Sequence, residues 1–246
     1  MRSASPAWIV TGASRGIGAA VARMAAASGA AVVLVARGEA VANVGAGIRG
    51  DGADAVEIRE DVTAEGAAER IVEAAVERFG RVDVLVNNAA IHRGGRLERL
   101  DATAFDEVVA ADLVAPFRLC RAAVARMEAG GAIVNLGSVV GFRGFPGDAP
   151  YAAAKAGLAG LTAALAVELA PRGITANLVV PGFTDTELVR ALDERTRARI
   201  DARIPLGRTA TPEEVAAVIG WVATTPYMTG AVVPVDGGLM AALGSR

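Results

Sequence analysis

The stretch Val10-Thr11-Gly12-Ala13-Ser14-Arg15-Gly16-Ile17-Gly18 decides the fold. It follows a short apolar run at 7–10 and opens into an Ala-rich amphipathic segment near 16–28, so three glycines occupy a strand-to-helix turn. Glycine there lets the backbone approach a pyrophosphate, whose charge rests on the positive end of the following helix. A Gly-rich turn can also serve sterics alone. Its place after the first strand of an alternating chain makes dinucleotide binding the reading, with Gly12, Ser14, Arg15, Gly16, Ile17 and Gly18 as the cofactor-binding positions.

Outward from this turn, β-branched runs at 31–36, 53–58, 82–87, 132–137, 174–180 and 231–235 alternate with helical stretches near 38–49, 65–79, 103–128, 150–170 and 211–224. Alternation of this kind gives βαβ units and right-handed crossovers. The expected architecture is α/β: a single-domain Rossmann fold over 1–246, with a seven-stranded, mostly parallel, doubly wound sheet and helices on both faces. A length of 246 residues suits one such domain. The least regular stretch, 183–208, reads as a flexible substrate flap with its own short helix.

Hydrophobic residues make up 53% of the chain and aromatics only 4%, enough small apolar material for a sheet covered on both faces. The net charge is −2 with both signs interspersed, which speaks against a nucleic-acid or polybasic membrane surface. One cysteine and one histidine leave no disulfide and no metal cluster, so no metal is expected. The N-terminus lacks a signal-peptide core and no apolar run is expected to reach membrane-spanning length, so the chain is expected to be soluble and cytoplasmic.

The end of the second strand, Val35-Ala36-Arg37-Gly38, offers no carboxylate for a ribose 2′-OH. It offers Arg37, with Arg15 in the glycine turn, and paired guanidinium groups suit a 2′-phosphate; NADP(H) is therefore expected over NAD(H). Asp61 and Val62 follow the third strand, where the carboxylate can meet an adenine amino group. Asn88 and Ala89 follow the fourth, where small residues let the backbone pass close to a ligand.

At the chemical end, Ser138 follows the fifth strand by one glycine, and Tyr151-Ala152-Ala153-Ala154-Lys155 places a phenol and an ammonium at i and i+4 on one helix face. Lys155 is the only lysine; the other 24 of 25 basic positions are arginine. A point charge beside a phenol is a means of tuning a proton donor.

TGxxxGxG at 11–18, NNA at 87–89, Ser138, YxxxK at 151–155 and Pro181-Gly182 with Thr184 stand in the order of the short-chain dehydrogenase/reductase family, which the chain resembles over about residues 6–240. The stretches GSVVG, YAAAKAGL, RGIT and the ending Asp236-Gly237-Gly238 resemble the 3-oxoacyl-[acyl-carrier-protein] reductases within it. The resemblance implies an NADPH-dependent reduction of a ketone, foremost a 3-oxoacyl thioester of the kind used in fatty acid biosynthesis. Alternatives are a small ketone, sugar or polyketide-like substrate, or, in another class, a non-catalytic NADP-binding sensor or scaffold. Tyr151 would protonate the developing alkoxide, Ser138 would hydrogen-bond the same oxygen, and Lys155 would grip the nicotinamide ribose. Pro181 and Gly182 would turn the chain over the cofactor, with Thr184 and Thr186 on its carboxamide. Acyl carrier protein is an implied partner and a homotetramer through the helices 103–128 and 150–170 and the C-terminal strand the implied assembly, with Leu158, Leu161, Leu165 and Leu169 on the candidate face; a buried core face in the monomer is the alternative for these leucines.

Two departures stand out. The family's fourth catalytic position, an Asn whose backbone carbonyl holds a water, is Asp112 here. An ionised Asp112 near Lys155 would offset the ammonium's field, leave Tyr151 a weaker acid and alter the pH optimum. Of the two basic sites expected for carrier docking, Arg172 matches one, but 128–132 offers nothing basic at the other.

Overall fold

The computed structural model describes residues 5–190 and 193–242. Among these, one sheet holds seven strands: β1 (Ala7–Thr11), β2 (Ala31–Ala36), β3 (Ala55–Arg59), β4 (Val84–Asn87), β5 (Ala132–Leu136), β6 (Thr175–Pro181) and β7 (Val232–Val235). Their order is β3-β2-β1-β4-β5-β6-β7, and all six pairings are parallel. The connection reverses direction between β1 and β4, and a crevice opens there beyond the carboxyl ends of the strands.

Alternate residues of each central strand feed two cores. Trp8, Val10, Leu34, Val86 and Val134 face α1 (Gly16–Ala27), α2 (Val41–Gly50) and, through Ile219 and Val222, the late helix Pro212–Thr224. Ile9, Val33, Val35, Leu85 and Ile133 face α3 (Ala67–Phe79) and the helices that follow β4 and β5. Coverage of both faces is why these strands read as unbroken apolar runs. Several edges differ from the sequence reading. β3 begins at Ala55 because Gly52 turns the chain at φ 85, and β6 begins at Thr175 after Gly173 at φ 69.

The stretch expected as one helix over 103–128 is three pieces: α4 (Ala102–Val109), a π-helical turn (Ala110–Val114) and α5 (Ala115–Val124). Pro116 in the first turn of α5 supplies the cause. Its ring cannot donate to the carbonyl of Asp112, four residues earlier, and would collide with it in a regular helix, so the turn widens.

α6 (Ala149–Leu169) with its 3-10 extension (Ala170–Arg172) corrects the expectation that no apolar run reaches membrane-spanning length. Ala149–Arg172 spans 24 residues and contains a window of mean hydropathy 1.4, long and apolar enough to cross a bilayer. Its length instead lies along the sheet: Leu158 packs on Leu178 and Val180, and Leu169 joins the second core. Burying such a leucine contributes about 1.5–3 kcal/mol. Leu158 and Leu169 are thus core residues, not assembly-face residues, whereas Leu161 and Leu165 are half-buried and Val167 is exposed. In the stretch 183–208, two short helices appear, α7 (Glu187–Arg190) and α8 (Glu194–Asp201), followed by α9 (Pro212–Thr224).

Candidate active site

The glycine turn is held by contact. Gly12 and Gly16 adopt left-handed backbone (φ 67 and 54). A Cβ on Gly18 would lie 2.3 Å from the Gly12 carbonyl oxygen, and one on Gly12 would lie 2.9 Å from the Ala89 Cα, so neither position admits a side chain. The ends of β1 and β4 are stitched across this turn. Thr11 Oγ1 accepts from the backbone N–H of Asn88 and of Ala89, both at 3.0 Å. Asn88 Nδ2 donates back to the Thr11 carbonyl at 2.7 Å and the Gly12 carbonyl at 3.2 Å. Asn88 therefore braces the turn as well as lining the crevice, a role the sequence reading missed.

The crevice encloses about 1100 Å³ and is lined by Gly12, Ser14, Arg15, Gly16, Ile17, Arg37, Asp61, Val62, Asn88, Ala89 and Thr186, all expected cofactor positions. Gly18 lies beneath, buried against Gly12. An elongated crevice over a bare glycine cradle fits a dinucleotide. Arg37 Nη1 is 3.7 Å from Asp61 Oδ2, and Arg15 Nη1 is 2.5 Å from Glu187 Oε2, both pairs well exposed. Burial pushes the Asp61 carboxyl up, but donation from Thr63 N and Oγ1 and the nearby Arg37 outweigh it and hold it below the usual range. Pro181, Gly182 and Thr184 sit further along, off the crevice. Gly182 packs against the backbone of Asp236, where a Cβ would approach within 2.8 Å, and Thr184 is buried beside its bridge to Ala210.

Beyond the crevice's inner end lies the polar cluster. Ser138 caps a 3-10 turn (Val139–Gly141), its Oγ accepting from Val140 N at 3.3 Å. Gly141 in that turn touches α6: a Cβ would stand 2.8 Å from Ala156 N and 2.9 Å from the Lys155 carbonyl carbon. On the other side, Gly157 admits Leu113 of the π-turn, whose Cδ2 would be 2.8 Å from a Cβ. One glycine thus brings the Ser138 turn onto the backbone of Lys155, and the other seats the Leu113 side chain on α6. The lysine is 3% exposed; its Nζ donates to the Leu136 carbonyl at 3.0 Å and lies 5.4 Å from the Tyr151 ring centroid.

Asp112 is fully buried in the π-turn. Its Oδ1 accepts from Ile91 N at 2.8 Å; its Oδ2 lies 3.4 Å from Lys155 Nζ and has no hydrogen-bond partner. Burial pushes this carboxyl up, against the opposing pull of Lys155 and the Ile91 bond. Above the phenol, His92 meets the Tyr151 ring edge-on at 5.3 Å between centroids, and its Nε2 is 2.9 Å from Asp148 Oδ1. His92 also lines a second cavity of about 430 Å³ with Arg96, Pro146 and Gly147. Arg172, the candidate docking residue, donates instead to the carbonyls of Val124 and Met127 at 2.8 and 3.1 Å, closing the end of α5. No trio of His, Cys, Asp or Glu is grouped to hold a metal among the described residues.

A doubly wound parallel sheet with a glycine turn at its switch point, opening on a crevice whose lining residue His92 meets the Tyr151 ring, defines a nicotinamide-dependent oxidoreductase. The chain belongs to the short-chain dehydrogenase/reductase family. The family model described as enoyl-(acyl carrier protein) reductase matches residues 12–240. The 3-oxoacyl-[acyl-carrier-protein] reductase FabG of Escherichia coli (strain K12) is 41% identical over 237 residues, 94% of this chain and 96% of that one. The cis-4-hydroxycyclohexanecarboxylate dehydrogenase of Sinomonas cyclohexanicum is 42% identical over 238 residues, 95% and 96% of the two chains. Among solved structures, a blue fluorescent protein from a metagenomic library, in complex with NADPH, superposes with a TM-score of 0.90 at 36% identity, covering 95% of this chain and 97% of that one.

Proposed function

We propose that this chain uses NADPH to reduce a ketone to a secondary alcohol, with a 3-oxoacyl thioester as the leading substrate. The observation that carries the reading is the burial of the sole lysine, Lys155, under Tyr151, with Ser138 held against the same helix by Gly141. Bound NADPH would supply the hydride to the carbonyl carbon. The Tyr151 hydroxyl gives its proton to the carbonyl oxygen, and the Ser138 hydroxyl donates a hydrogen bond to that oxygen as negative charge develops. Lys155, buried beneath the phenol, would hold the nicotinamide ribose. Arg37 and Arg15, in a crevice with no carboxylate at the end of β2, support NADP(H) over NAD(H). Residues 1–246 are read as one domain working in the cytoplasm as a homotetramer.

Tyr151→Phe tests the core of this. NADPH binding, read by cofactor fluorescence, is expected to persist while ketone reduction falls at least about 10²-fold. Unchanged reduction would remove Tyr151 as the acid. A small ketone is the second substrate reading, because Arg172 is occupied by backbone carbonyls and 128–132 carries no basic residue for an acidic carrier. Comparing an acetoacetyl thioester with a cyclic ketone, each with NADPH and NADH, separates the two readings.

A further inference from the structure

We propose that the outward face of α8 is the docking surface for an acidic carrier protein, with Arg195, Arg199 and Arg203 as the cations that seat it. The proposal rests on the 3-oxoacyl thioester reading above and adds to it the place where the thioester is delivered.

The surface that the family resemblance implies for such a carrier is already spent in this chain. Arg172 is turned onto the carbonyls of Val124 and Met127, and 128–132 holds no basic residue. Positive charge is gathered elsewhere. Between 187 and 208 the chain sets six arginines among four carboxylates. Three of these arginines have other duties. Arg190 is forked onto Asp185, with both bonds at 2.9 Å, and Arg208 onto Glu214 at 2.6 and 2.8 Å. Asp185 is held below its usual range first by the Arg190 hydrogen bond, with Arg197 adding to the pull. The remaining three, Arg195, Arg199 and Arg203, are exposed and form no ion pair among the described residues.

These three also stand in a row. Arg195 and Arg199 are i and i+4 on α8, so they share a face and lie about 6 Å apart along its axis. Arg203 follows by four more residues in the turn that continues the helix, where Ala202 N and Arg203 N still donate to Ala198 and Ile200. The acids of α8 do not cancel the row. Asp193 is committed to the N-cap, accepting from Thr196 N at 2.9 Å and Thr196 Oγ1 at 2.7 Å. Asp201 is half-buried with its Oδ1 turned away from solvent. Glu194 is the one exposed carboxylate left, in the first turn.

Both ends of the segment that carries α8 are fixed at the site. At one end, Thr186 and Glu187 line the cofactor crevice. At the other, Leu206 N donates to the Gly237 carbonyl at 3.1 Å, and Ile204 presses so closely on Gly237 that a Cβ there would lie 2.6 Å away. The same C-terminal turn offers its Met240 carbonyl to Arg143, in the loop between Ser138 and Tyr151. That loop exposes Phe142 and Phe145, and the flap's end exposes Leu206. A row of cations joined to an exposed apolar edge has the make-up of a transient protein interface, with steering by charge and contact by apolar side chains. An acidic helix with carboxylates one turn apart is the complement of the row. A carrier seated on it stands next to the loop that leads its thioester arm to Tyr151.

The test pairs binding with kinetics. A fluorescently labelled, phosphopantetheinylated acyl carrier protein is titrated with the enzyme and read by anisotropy. Arg195→Glu with Arg199→Glu should raise its Kd at low salt at least about tenfold. Raising ionic strength should weaken binding by the parent and have little effect on the double variant. An equal charge change on the α3 face, Arg78→Glu with Arg126→Glu, should leave Kd unmoved. In kinetics, kcat/KM for the acetoacetyl carrier protein should fall with Kd, while the acetoacetyl thioester of N-acetylcysteamine, which has no carrier, keeps its kcat and KM. Equal losses on both thioesters, equal effects of the two double variants, or a carrier Kd indifferent to salt would each overturn the proposal. So would binding of a DNA duplex or of anionic vesicles as tight as that of the carrier, which would make the row a general anion surface. If the carrier binds as expected but neither thioester is reduced, the hydride-transfer reading has failed and the docking surface has not. Reduction of the small thioester without carrier binding is the reverse result.

Discussion

At the residue scale, Lys155 illustrates how much structure one buried charge requires. A backbone carbonyl, a carboxylate and the close approach of Gly141 surround it, and the carboxylate bears a cost of its own. Burial raises the Asp112 carboxyl above its ordinary value of 3.8. The folded chain therefore retains that proton over a window in which the unfolded chain has lost it. The stability linked to it is present in full below the unfolded value and is lost as pH rises through the folded value. Asp112→Asn has no such window. Its stability relative to the parent, from urea midpoints, should improve as pH rises from about 4 toward 7; a flat difference would show that Asp112 does not titrate there. Arg37 makes a second prediction. Its guanidinium is loosely paired with Asp61 at 3.7 Å and well exposed, so it remains available to a phosphate. Arg37→Ala should raise KM for NADPH about tenfold or more and leave KM for NADH nearly unchanged, because a charge-assisted hydrogen bond is lost only with the 2′-phosphate. Equal changes for both cofactors would move the phosphate site elsewhere.

At the element scale, the π-turn is the feature that places Asp112, and Pro116 is its cause. Pro116→Ala restores an N–H that can reach the Asp112 carbonyl and removes the ring that keeps it away. The turn should tighten toward a regular helix, drawing Asp112 and Leu113 out of register with Lys155. Thermal stability is expected to hold or rise while kcat falls several-fold, since Ala is the better helix former. A fall in both would indicate collapse of the α4–α5 packing instead. Gly141→Ala acts from the other side. Its Cβ would meet α6 backbone at 2.8–2.9 Å, so the Ser138 turn must lift away, costing about 1–3 kcal/mol and most of the activity. Much of the architecture was legible in the sequence because the central strands are buried on both faces and show as unbroken apolar runs. Ser138, Tyr151 and Lys155 were singled out by spacing, and the fold brings the Ser138 turn and Tyr151 close to Lys155. The π-turn was not, because the apolar repeat of 103–128 runs through it without interruption; its one signal was a proline four residues after Asp112. The bracing by Asn88 and the closing of α5 by Arg172 depend on contacts between segments 76–77 and 45–48 residues apart, which no local pattern carries.

At the scale of the whole molecule, the two cores meet through the sheet, and Cys120 reports on their joint integrity. It lies on α5, 1% exposed, between Asn87 and the second core, and burial pushes its thiol up to about 12. A thiol so placed reacts only when the chain opens, since the thiolate is the reactive form and solvent cannot reach it otherwise. α5 and the turn after it are fastened to α3 by surface pairs, Arg121 with Glu69 and Arg126 with Glu73, whose charges water screens, so the seat of α5 depends on the apolar contacts beneath. Labelling of Cys120 by an aromatic disulfide should therefore track global unfolding. NADPH bound in the crevice, which Asn88 lines one residue after Asn87, should slow it. A ligand at about 100 times its Kd stabilises by about 2.7 kcal/mol, equivalent to about a hundredfold slower labelling when opening is at equilibrium. NADH at the same concentration should protect less, in proportion to its weaker binding, and Arg37→Ala should bring the two cofactors together. Labelling that is slow yet indifferent to NADPH would mean that α5 opens by itself, uncoupled from the crevice. Labelling at the rate of an exposed thiol would mean that the second core does not close over Cys120.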